Sequence, residues 1–173
     1  MKVLYLINYA PNYRESFLRE LGKKVDLTVA SYRADTAVVI DPREREGYTF
    51  IELKRQRIGK LNLNFLEFTL GAKFDLVIVG YTLWNPFRMV NLFRLKPVIA
   101  EGLIYGKSNS LLTRLIRRIL ISSADIILVY SKRVEYRLQK NLSKPIISFN
   151  NTSYSLSQLK MLPLPFEESH LNV

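Results

Sequence analysis

The sequence contains no cysteine and one histidine, His170, close to its C-terminal end. Without cysteine there is no disulfide framework, no thiolate metal site and no cysteine nucleophile. With one histidine there is no histidine metal cluster, and a serine-histidine-aspartate triad would depend on a residue in the tail. No metal site built on cysteine or histidine is expected, and the sequence calls for no cofactor. Glycine and proline number only 7 each among 173 residues, which excludes collagen-like and low-complexity architectures. No apolar run reaches the roughly 18–20 residues of a transmembrane helix. The opening MKVLYLINYA continues into polar residues without a small-residue cleavage site, so Val3 to Ile7 reads as a buried strand, not a signal peptide. A cytoplasmic protein is the expectation. Nor does the loop after that strand, Asn8 to Arg14 apart from any glycine, carry a dinucleotide fingerprint, and no GxxxxGK[ST] phosphate loop occurs anywhere. Nicotinamide-dependent and P-loop enzymes are set aside on those grounds.

What is present describes a globular α/β domain. Hydrophobic residues make up 48% and charged residues 24% of the chain. A chain of this length buries about 70% of its unfolded surface, enough for a real core. Short apolar runs alternate with amphipathic stretches. Strands are expected at Val3–Ile7, Val25–Ala30, Thr49–Leu53, Phe74–Tyr81, Pro97–Ala100, Asp125–Tyr130 and Pro145–Phe149. Helices are expected at Arg14–Lys24 (Phe17, Leu18 and Leu21 sharing one face), near Asn64–Leu70, and at Pro86–Leu95, Ser110–Ser122 and Lys132–Asn141. Strands that are apolar throughout and alternate with helices predict a parallel sheet covered on both faces. The expected fold is a Rossmann-like, doubly wound, mostly parallel sheet of about seven strands with helices on both faces. Lys54 to Leu63 reads as a basic loop. The domain is taken as residues 1–161, with 162–173 as a linker toward a further domain.

In such a sheet ligands bind beyond the carboxyl ends of the strands. The loops there carry Asn8, Tyr9, Pro11, Tyr13 and Arg14 after the first strand, Trp84 after the central one, and Glu101 and Gly102 after the next. Tyrosine rings can stack on a sugar face, and arginine suits bidentate anion binding. Pro11 and Asn12 making a turn with Tyr13 packed on the sheet edge accounts for the first loop equally well. Trp84 is either a ligand platform or a residue packed under a loop. Glu101 at a strand end is placed for acid or base work, or it is a surface carboxylate capping a turn.

These residues carry a resemblance. Pro11-x-Tyr13-Arg14 followed by Phe17 and Leu21, then FDLVIVGY, KPVIAEG, a basic helix, SADIILVYSKRVEYRL and Asn150-Asn151-Thr152, resembles in order the N-terminal domain of family 4 retaining glycosyltransferases of the GT-B fold. The match is an ordered series of loose patterns over nearly the whole chain. It implies a domain that binds the acceptor, a sugar or lipid-linked glycan, while a separate C-terminal domain binds the nucleotide-sugar donor. It implies transfer with retention, without a metal, in polysaccharide, glycolipid or cell-envelope glycan synthesis. Carried over by position, Pro11, Tyr13 and Arg14 line the cleft, and Glu101 and Gly102 lie where relatives place an acceptor-side histidine. On this reading the chain is half of a hexosyltransferase, inactive alone.

The net charge of +11 favours an anionic partner. In the helix Ser110–Ser122, Leu111, Leu112, Leu115, Ile116, Ile119 and Leu120 form a stripe expected to face the core. Arg114, Arg117 and Arg118 fall on another face. That basic face is expected either to be solvated or to hold the domain peripherally on the anionic inner face of the cell membrane. Two other classes compete: a stand-alone flavodoxin-like module, which lacks the strand-end aspartates of a phospho-receiver, and a nucleic-acid binder, supported by charge alone.

Overall fold

The computed structural model describes residues 1–33, 45–94, 97–102 and 111–149. Seven strands form one parallel sheet: β1 (Lys2–Ile7), β2 (Asp26–Tyr32), β3 (Thr49–Leu53), β6 (Leu76–Gly80), β7 (Val98–Glu101), β8 (Ile126–Val129) and β9 (Ile146–Ser148). Their order is β3-β2-β1-β6-β7-β8-β9. The chain winds outward from β1 in one direction, returns, and winds outward from β6 in the other. The switch point lies between β1 and β6, where Val3 to Leu6 run beside Leu76 to Val79. The expected α/β Rossmann-like sheet is the fold observed.

Alternation along β1 explains the layering. Leu4 and Leu6 point to one face, with Met89, Leu92 and Leu120; Val3, Tyr5 and Ile7 point to the other, with Leu18 of α1 (Glu15–Gly22). Each fully buried leucine contributes about 1.5–3 kcal/mol through apolar surface removed from water. Asp125 fixes the start of β7 from a neighbouring strand, its Oδ2 accepting the Val98 N–H at 2.8 Å. Ser131 caps α5 (Lys132–Gln139) through the Arg133 N–H.

Several expectations need correction. The basic stretch read as a loop contains a small antiparallel hairpin, β4 (Arg57–Ile58) with β5 (Leu61–Asn62), closed by Gly59 at φ 58°. The helix expected near Asn64 begins later, as α2 (Leu66–Gly71), because the Asn64 side chain accepts the Leu66 N–H and makes a turn first. The helix expected from Pro86 is a four-residue α3 (Pro86–Met89), capped by Asn85, that tightens into a 3₁₀ turn at Val90–Phe93. Phe17 does not share the burial of Leu18; it is exposed and meets Phe149 at 6.2 Å.

The largest correction concerns α4 (Leu111–Ser123). Its leucine stripe does not face the core: Leu111 is 78%, Leu115 57% and Ile119 47% exposed. Only Leu120 and Ile121 reach the sheet. Arg114 and Arg118 are exposed, whereas Arg117 is half-buried beside Tyr81. Periodicity shows that apolar residues share a face; it does not show what covers that face. The expectations for Leu95, Ser110, Asn150-Asn151-Thr152, the linker at 162–173 and His170 fall outside the described residues.

Candidate functional site

Two clefts open beyond the carboxyl ends of the strands, one on each side of Asn8 and Tyr9. The first, about 550 Å³, lies between the β4–β5 hairpin and the segment after β6, and Tyr32, Arg57, Lys60, Trp84 and Asn85 contribute to its wall. The second, about 280 Å³, is lined by Pro11, Tyr13, Arg14, Tyr81, Glu101, Gly102 and Tyr130. All the expected acceptor-side residues border one or the other, with Trp84 in the first, Asn8 in both, and the remainder in the second.

Beneath the second cleft sits a buried cluster. Glu101, 1% exposed, ends β7. Its Oε2 accepts the Tyr5 hydroxyl, and its Oε1 accepts the Tyr130 hydroxyl at 2.7 Å and lies 2.8 Å from Arg14 Nη2. Arg14 donates onward to both phenols, at 2.7 Å each. Burial, then the Glu101 carboxylate, pushes the Tyr5 and Tyr130 phenols well above the ordinary tyrosine value, so both stay protonated donors. Burial opposes the Arg14 cation, but Tyr5, Glu101 and Tyr130 together outweigh it and raise its pKa. Glu101 is thus neither a surface cap nor a free carboxylate. Both its oxygens are engaged, and it fixes Arg14 at the cleft floor. Gly102 follows at φ 133°, where a side chain is strained, while its N–H donates to the Leu128 carbonyl.

A second buried pair holds the rim. Arg88 and Glu67 are both fully buried, 2.5 Å apart. Arg88 also donates to the Ile7 carbonyl and, at 2.7 Å, to Asn8 Oδ1. The Asn8 side-chain carbonyl is occupied in this way, which fixes a residue that borders both clefts. On the far side Arg45 donates to the Ala10 carbonyl and to Glu15, and stacks over Phe50 at 4.2 Å. The loop after β1 is therefore anchored at both ends.

Comparison with family models and with curated proteins returns no match to this chain. Its chemistry has to be read from the clefts themselves.

Among the described residues no group of three or more His, Cys, Asp or Glu is placed to hold a metal ion. Sequence reasoning missed Tyr5, Tyr32, Arg57, Lys60, Arg88 and Tyr130. Tyr5 lies inside an apolar run and gives no signal of its own. Tyr130 was readable, because it is the last residue of an expected strand at the ligand end of the sheet. Arg57 and Lys60 were hidden by reading their hairpin as a loop.

Proposed function

We propose that this domain is the acceptor-binding half of a retaining glycosyltransferase, acting with a second domain that binds the nucleotide-sugar. The observation that carries this reading is the pair of open clefts at the strand switch point, edged by Trp84, Tyr9 and Tyr13 and anchored below by buried ion pairs. Exposed aromatic faces beside fixed amide, hydroxyl and guanidinium donors suit a polyhydroxyl ligand. Among the described residues neither cleft wall has the glycine-rich turn that brings backbone N–H groups to a pyrophosphate. The domain's role is to hold the acceptor hydroxyl, and Glu101 acts through Arg14 and the two phenols as a positioning group.

The partner surface in this reading is an anionic bilayer, met by α4. Its exposed Leu111, Leu112, Leu115, Ile116 and Ile119 have no acid among them, and Arg114 and Arg118 are exposed on the same helix. An amphipathic helix of this composition lies in the headgroup plane. Each arginine near such a surface contributes about 1 kcal/mol, weakened by salt. No helix among the described residues is long and apolar enough to cross a membrane; the attachment proposed is peripheral.

Calorimetric titration tests the site: oligosaccharide acceptors are expected to bind, UDP-sugars weakly or not at all. Tight UDP-sugar or oligonucleotide binding without carbohydrate binding refutes the reading. Co-sedimentation with anionic and neutral vesicles tests the surface. The parent should pellet with anionic vesicles at low salt, and Arg114 and Arg118 changed together to Gln should lose most of that; equal pelleting refutes membrane docking.

A further inference from the structure

The first cleft differs from the second in its charge. Among the described residues Arg55, Arg57 and Lys60 border it, and no carboxylate does. Arg55 is engaged, donating to the Arg33 carbonyl. Arg57 and Lys60 are exposed at the hairpin. Lys60 Nζ sits 5.8 Å from the Trp84 ring centroid, and Trp84 is 56% exposed. The hairpin is tied to that ring's segment, since the Asn62 N–H donates to the Trp84 carbonyl at 2.7 Å. Below them Asn85 donates to the Tyr32 hydroxyl, whose pKa burial and the nearby Glu67 carboxylate push up to about 12.

We infer that this cleft binds a sugar bearing a negatively charged group, the ring stacking on Trp84 and the acid lying between Arg57 and Lys60. The inference deepens the acceptor reading and rests on it. A neutral sugar needs no uncompensated cations at the mouth of its site. A bare anion needs no exposed indole. The two on one hairpin-and-loop unit match a ligand that has both features: the planar guanidinium of Arg57 suits phosphate or carboxylate, and the Lys60 ammonium supplies a second positive charge.

Trp84 is the single tryptophan in the chain, so its fluorescence reports on this cleft alone. The full chain is titrated with glucose, glucuronate, glucose 6-phosphate and inorganic phosphate at low and high salt. The expected result is that at least one acidic sugar binds about tenfold or more tighter than glucose and than phosphate, with a gap that narrows in salt. The larger gap shows whether phosphate or carboxylate is the group read. In Arg57→Gln with Lys60→Gln, both exposed on the hairpin, the gap should close, the acidic sugars falling to the affinity the same variant has for glucose. Calorimetry on Trp84→Leu should show all the sugars weakened. Equal affinity for glucose and its acids overturns the inference and leaves the acceptor reading standing. Phosphate binding as tightly as glucose 6-phosphate also overturns it, since the ring is then not recognised. Absence of any sugar binding removes the acceptor reading together with it.

Discussion

Replacing Arg14 with methionine leaves Glu101 as a buried carboxylate without the cation it pairs with. Arg14 and Glu101 are 9% and 1% exposed in their side chains, and the pair is 2.8 Å apart. Removing one partner of a pair this deeply buried costs about 3–5 kcal/mol, because the survivor keeps its desolvation penalty and loses its counter-charge. The two phenols also lose the guanidinium donor, at about 1 kcal/mol each, although their hydrogen bonds to Glu101 persist. Against a typical total of 5–15 kcal/mol, Arg14→Met should be close to unfolding. Glu101→Leu should cost a similar amount, now with the cation stranded. The double variant removes both charges and fills the space with apolar atoms, so it should cost much less than the sum, with a coupling of at least about 2 kcal/mol. Urea unfolding of the four proteins measures this, provided the slope of free energy against denaturant is unchanged. Additivity within about 0.5 kcal/mol would refute the reasoning, since it would mean that the two side chains do not share their penalty.

Gly102→Ala forces a side chain onto φ 133° and should lower stability by about 1–3 kcal/mol, read as a drop in melting temperature; an unchanged melt argues that the turn relaxes freely. Asn85→Ala removes the α3 cap and the donor to Tyr32, and should cost about 1–2 kcal/mol in denaturant unfolding. Tyr32 and Tyr48 are pushed up to about 12, chiefly by burial, and Tyr5 and Tyr130 are raised too. Raised folded values stabilise below the unfolded tyrosine value near 10 and lose that contribution as pH climbs through the folded values, so the melting temperature should fall between about pH 10 and 12. A flat profile there, or phenolate absorbance titrating in one step at the free value, would contradict the buried placement. Changing Leu111, Leu115 and Ile119 together to Ser should leave the melting temperature within a few degrees, because these side chains are already in water; a collapse of the fold would show that they pack against something essential.

The sheet was legible because its signal is redundant. LVIV (76–79) and VLYLI (3–7) are apolar at every position, which only a strand covered on both faces explains, and the intervening stretches have helical spacing. The placement of Asn8, Arg14, Trp84 and Glu101 beside clefts followed from the strand ends alone. What was not legible depends on pairing across the chain. Nothing local to Glu101 says that Tyr5, 96 residues away, will donate to it. The β4–β5 hairpin rests on two residues per strand, too few to show a period. The outward face of α4 was lost because amphipathicity fixes which residues travel together and leaves their direction to the tertiary contacts.

The position of β1 also has a consequence for how the protein is made. It comes before the sheet's other strands in chain order and is one of the innermost, with β2 on one edge and β6 on the other. Asp26 to Ser31 are available to it early, but Leu76 to Val79 follow some 73 residues behind their partners, as Val3 beside Leu76 shows. At about 5–20 residues per second, the second edge of Lys2–Ile7 waits on the order of 4–15 s for its partner. During that interval an apolar, hydrogen-bond-hungry edge is open to any other strand, including the same edge on a neighbouring nascent chain.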